Sequence, residues 1–131
     1  MNKRILQSIG YKFLHDFNNR YFNLKFPIIL KVSKCKKFTN KYRGMWQNES
    51  LEIKDGEWKE YHVITISYPD LSIDIQDLQN TIFHELVHAK QYELKREVWH
   101  DLYFWEWENR ANKIGITIRY LEDNYREIIP E

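Results

Sequence analysis

From residue 84 to 88 the chain reads His-Glu-Leu-Val-His, and the stretch around it buries its apolar side chains only as a helix. Leu78, Ile82, Leu86, Ala89 and Glu93 recur at helical spacing on one face, and Ser72 or Asp74 offers the N-cap before them. Positions four apart on such a helix are rotated by about 40° and displaced by roughly 6 Å, so the rings of His84 and His88 can reach one cation. They lie nearly opposite the apolar stripe, which packs one face on the body and leaves the other to line a cleft. A chance match to this five-residue pattern is expected in well under about 1% of chains this long.

The donor types narrow what the cation can be. Cys35 is the only cysteine, so neither an internal disulfide nor a cysteine-only metal site can form, and any metal rests on histidine and carboxylate. Paired imidazoles of this kind suit zinc, which at a catalytic site takes a third protein ligand and keeps a position open. Glu85 follows the first histidine directly, where its carboxylate can act as general base on a water and later return the proton to a leaving amine. Two residues downstream are candidates for the third ligand. His100 lies in line with Phe104 and Trp107 at the start of a second helical stripe, and Glu108 lies two turns further along. Glu106 reads as a solvated helix residue.

The rest of the chain reads as one compact unit of 131 residues, without repeats, low-complexity tracts or a Gly/Ser/Pro-rich linker. Ile5, Ile9, Phe13 and Phe17, with Leu6 and Leu14 beside them, predict an N-terminal helix from about Ile5 to Asn18. Strands are expected after Pro27 over Ile28, Ile29, Leu30 and Val32, then over Tyr42 to Trp46, Leu51 to Lys54 and Tyr61 to Ser67. Asp55-Gly56 supplies a turn between the last two, and together they suggest a small, mostly antiparallel sheet. The second stripe, His100, Phe104, Trp107, Ala111 and Ile114, is closed by Gly115, and Ile116 to Tyr120 is a candidate closing strand. The fold class is therefore α+β.

No segment has the roughly 18 apolar residues of a membrane span, and Met1 to Gly10 lacks the apolar stretch of a signal peptide, so the expected location is cytoplasmic, away from membranes. The near-neutral total charge hides a division. Up to Gly44 there are eleven basic residues and one acid, Asp16; after it there are nine basic and eighteen acidic. With Tyr11, Phe13, Tyr21, Phe22, Phe38 and Tyr42 interleaved, the basic half is compatible with a DNA-tracking, base-stacking groove. The competing reading is a solvated basic face whose aromatics belong to the core.

Thr81-Ile82-Phe83-His84-Glu85-Leu86-Val87-His88-Ala89 resembles the active-site helix of the SprT-like (Spartan) zinc metallopeptidases, and His100 followed by Phe104, Trp107, Arg110, Asn112 and Gly115 resembles that family's third-ligand segment. Gly44 and the strand Val63 to Ser67 also stand where the family has a glycine and an edge strand, while Asp101 stands where it often has glycine. The resemblance covers roughly residues 40 to 118. It implies a zincin-like single domain, zinc held by His84, His88 and His100 rather than Glu108, and Glu85 as catalytic base. It further implies a protein or peptide substrate laid along Val63 to Ser67, and weakly a role on proteins bound to DNA. Tyr68 and Tyr103 are candidates for stabilising the oxyanion. Two rivals remain: a glutamate-ligand zinc peptidase using Glu108, and a non-catalytic nucleic-acid-binding module using the basic half.

Overall fold

A computed structural model describes residues 2–34, 44–68 and 74–118, without the side chains of Lys34 and Tyr68. Helix α1 (Lys3–Phe17) starts at Asn2, whose side chain accepts the Ile5 N–H at 2.8 Å. Its buried face is Leu6, Gly10, Leu14 and Phe17, and a π-helical turn, Asn18–Phe22, extends it to the buried Phe22. This agrees with the expected helix to within two residues at either end.

Strands β1 (Ile28–Lys34), β2 (Gly44–Lys54) and β3 (Glu57–Tyr68) form a three-stranded sheet in the order β1-β3-β2. β2 and β3 are an antiparallel hairpin closed at Asp55-Gly56, where Gly56 adopts the positive φ of 75° that the turn requires. β1 pairs with β3 in parallel, so the sheet is mixed rather than mostly antiparallel. A turn signature fixes the local hairpin. The non-local pairing is decided by which strand can extend the apolar face, and β1 does so by setting Leu30 beside Ile64 and Val32 beside Ile66.

Two expected strands, Tyr42 to Trp46 and Leu51 to Lys54, run together as β2 from Gly44 to Lys54, with Tyr42 and Arg43 outside the described residues. The polar Gln47 to Ser50 between them resembles a break, yet it pairs in register with Val63 to Glu60, and Asn48 Nδ2 donates to Tyr61 O at 3.4 Å. β3, expected at the sheet edge, is the middle strand and is hydrogen-bonded on both sides.

Helix α2 (Ile75–Glu93) packs on α1, β2 and β3, and α3 (Leu102–Lys113) packs on α2. Asp74, not Ser72, caps α2 by accepting the Gln76 N–H at 3.0 Å; Ser72 lies outside the described residues. Phe83 is the hub between layers, with Phe17, Phe22 and Trp107 packed edge-on around it at ring separations of 5.3, 5.0 and 6.0 Å. Helix α3 ends at Ile114 and Gly115, where the Ile116 N–H returns to Ala111 O at 2.9 Å and the Gly115 N–H to Asn112 O at 3.1 Å. Residues 116–118 form no strand, and 119–120 lie outside the described residues. No described helix is long and apolar enough to cross a membrane.

A buried three-histidine cluster

Helix α2 buries every residue from Thr81 to Ala89, including His84, Glu85 and His88. The face expected to line an open cleft is instead covered, because the 94–101 turn, α3 and the 116–118 segment fold back over it. His100 is delivered by that turn. It sits just before α3 rather than on it, since Asp101 is the N-cap and accepts the Phe104 N–H at 3.0 Å.

The turn brings His100 onto the two α2 histidines, and one ring nitrogen from each of the three lies within 4.8 Å of the others. Phe104 forms a shared apolar floor, its ring 4.8, 5.0 and 4.7 Å from those of His84, His88 and His100. His84 faces the Ile118 carbonyl through Nδ1 at 2.6 Å. A carbonyl can only accept, so Nδ1 carries the hydrogen and Nε2 keeps its lone pair. His88 Nδ1 meets Gln91 Oε1 at 2.8 Å, while His88 Nε2 faces His100 Nε2 at 3.2 Å. One ring nitrogen of each thus converges, with the δ-nitrogens of His84 and His88 held by the protein, an arrangement in which imidazoles ligate a metal.

Electrostatics favour the same state. Burial, reinforced by His88 and His100 and opposed by the Ile118 carbonyl, pushes the His84 pKa well below its ordinary 6.5. Burial lowers His88 to about 4, against the opposing pull of Gln91 and Asp101. It also lowers His100 to about 3, helped by His88. All three are therefore neutral near pH 7, and neutral imidazole is the form that binds a metal. His84, His88 and His100 could hold a metal ion together. Glu108, half-buried on α3, is not part of that cluster, and Glu106 is exposed.

Glu85 points toward the cluster, with Oε2 4.0 Å from His84 Nε2. The start of β2 passes directly over it. A Cβ built on Gly44 would stand 3.2 Å from Glu85 Oε2 and 2.6 Å from Thr81 Cγ2, so glycine is what lets the strand approach the carboxylate this closely.

Three supporting groups carry no signal of their own in the motif. The Ile118 carbonyl is backbone and leaves no trace in sequence. Phe104 reads as a core aromatic and becomes the floor only once His100 is in place. Gln91 was legible in principle, because i+3 from His88 on a helix puts it beside that ring. Of the proposed oxyanion groups, Tyr103 packs under the Arg96 guanidinium at 4.5 Å, and the side chain of Tyr68 lies outside the described residues.

The chain matches the SprT-like family over residues 10–126, nearly its whole length. It belongs to the SprT-like family. No curated protein and no solved structure matches it. Within this SprT-like chain, the histidine cluster joins the helix that carries the HExxH motif to the turn that carries the third histidine. The basic N-terminal half divides differently. Lys3, Arg4, Lys12, Arg20, Lys25 and Lys31 are exposed, whereas Phe22 is buried and Tyr11, Phe13 and Tyr21 pack against the core. Those four aromatics serve the interior; Phe38 and Tyr42 lie outside the described residues.

Proposed function

We propose that this SprT-like chain is a zinc-dependent peptidase in which His84, His88 and His100 hold the metal and Glu85 is the general base. The observation that carries the reading is the convergence of three buried imidazoles, one ring nitrogen of each within 4.8 Å of the others, beside a buried carboxylate. The donor set among the described residues suits zinc, being all nitrogen and compact. When bound, zinc supplies a Lewis acid that polarises a carbonyl and makes a water acidic near neutral pH. The remaining work falls to the chain. Glu85 Oε2 accepts a proton from the attacking water and returns it to the departing amine. The covered site limits water around the carboxylate, which strengthens its interactions with charge that develops there.

The substrate runs along β2 rather than Val63 to Ser67. β3 has partners on both sides, while β2 lies at the sheet edge among the described residues and its Gly44 end approaches Glu85. An extended peptide added to that edge binds by backbone hydrogen bonds, which asks for little sequence specificity. The exposed lysines and arginines of the N-terminal half support a role on proteins associated with DNA.

The test is cleavage of an unfolded protein with and without single-stranded DNA, comparing wild type with Glu85→Gln. Glu85→Gln is expected to retain stoichiometric zinc and to lose at least about 100-fold in turnover. Equal turnover by both proteins removes Glu85 from the mechanism. A DNA-binding isotherm that does not weaken with added salt removes the electrostatic basis for the DNA role.

A further inference from the structure

Gln91 lies one turn beyond His88 on α2, is fully buried, and uses both ends of its amide. Its Oε1 meets His88 Nδ1 at 2.8 Å. Its Nε2 meets the Trp99 carbonyl at 2.7 Å and Asp101 Oδ1 at 3.2 Å. These contacts fix one another's polarity. The Trp99 carbonyl is an obligate acceptor, so the amide NH2 must face it. The amide oxygen is then turned to His88, Nδ1 must carry the hydrogen, and Nε2 is left with a free lone pair. That acceptor nitrogen is the one facing His100.

The same amide grips the turn on both sides of His100, since Trp99 and Asp101 are its immediate neighbours. Asp101 Oδ1 also caps α3, which ties the turn to the helix that carries Phe104. We infer that Gln91 is a positioning residue that selects the metal-binding tautomer of His88 and, through the Trp99 and Asp101 contacts, holds His100 against it. This rests on the zinc reading above for its consequence, though the tautomer and the clamp belong to the protein alone. Its effect on metal affinity follows because a ligand that must be turned or brought in from a loose loop binds more weakly than one already in place.

Three variants test it. Gln91→Leu removes both halves of the amide, Gln91→Glu keeps an oxygen for His88 while losing the donors to Trp99 and Asp101, and Gln7→Met is the control. Gln7 also spends its amide on a backbone carbonyl, donating to Leu30 O at 2.8 Å on α1, so its loss matches the general cost of removing such a bond. Zinc affinity is measured by competition with a chromogenic chelator, and the His88 tautomer in the metal-free protein by long-range proton-nitrogen NMR. Gln91→Leu is expected to bind zinc about 10- to 100-fold more weakly and to lose the Nδ1–H signature of His88. Gln91→Glu, which covers the case where the leucine variant fails to fold, is expected to keep that signature and still lose affinity. Gln7→Met is expected to change neither. Wild-type affinity in both Gln91 variants overturns the inference and leaves the peptidase reading intact. A wild type that binds no zinc overturns both, and a wild-type His88 carrying its hydrogen on Nε2 overturns the tautomer selection alone.

Discussion

Helix α2 meets buried imidazoles at two places, and they are partnered in opposite ways. At its C-terminal end Glu93 reaches His62 of β3. Trp46 Nε1 donates to His62 Nδ1 at 3.0 Å, so Nε2 carries the hydrogen and gives it to Glu93 Oε2 at 2.7 Å. Glu93 also accepts the Lys25 N–H at 2.8 Å and the Phe26 N–H at 3.0 Å. Both nitrogens of His62 and the carboxylate beside it are satisfied from within the protein. In the middle of the same helix, His84 and His88 are held by the Ile118 carbonyl and Gln91 through their δ-nitrogens, and His88 Nε2 faces another imidazole, His100, rather than a carboxylate. Burial alone therefore does not mark a ligand, since His62 is as buried as His84. What sets the three apart is that one ring nitrogen of each lies within 4.8 Å of the others, a spacing that could hold a metal ion.

The largest expected effect that can break this comparison is on metal content. His88→Ala is expected to purify with essentially no zinc, while His62→Gln retains a stoichiometric amount, as read by elemental analysis of protein prepared without added metal. Zinc lost from both, or from neither, ends the distinction. Next comes stability. Glu93→Ala strands the His62 Nε2–H and the Lys25 and Phe26 N–H groups, and is expected to cost about 3 kcal/mol in denaturant unfolding while leaving zinc content unchanged. A loss below about 1 kcal/mol means that the latch between β3, α2 and the segment before β1 contributes little.

The smallest effect sharpens the contrast through pH. An unfolded histidine takes a proton near 6.5, whereas folded His88 resists until about 4 and His100 until about 3. In that window the unfolded state binds more protons, so these two histidines cost the metal-free protein stability as pH falls below 6.5 and add no slope well above it. Replacing His88 by Gln is expected to flatten the acid slope by about 1 kcal/mol per pH unit. His62→Gln should flatten it less, because the lowering of His62 by burial is opposed by Glu93. Thermal unfolding of metal-free protein between about pH 7 and about pH 5 reads the difference, and equal slopes contradict it.

What sequence by itself determined about this protein is local. The 3.6-residue spacing that sets Leu78, Ile82, Leu86 and Ala89 on one face sets His84 and His88 on another, so that helix and its two imidazoles were legible. So were the first helix, the Asp55-Gly56 turn and the Gly115 stop, each settled by neighbours a few residues away. His100 was legible as a candidate through the pattern after it, although its position before α3 was not, because Asp101 caps the helix one residue after the apparent start of the stripe. Tertiary structure decided the rest. Parallel pairing of β1 with β3, the exchange of edge strand from β3 to β2 among the described residues, and the choice of Ile118 O to hold His84 join residues far apart in the chain. No periodicity encodes such contacts. They follow from which apolar faces can be buried together and from the demand that every buried donor find an acceptor.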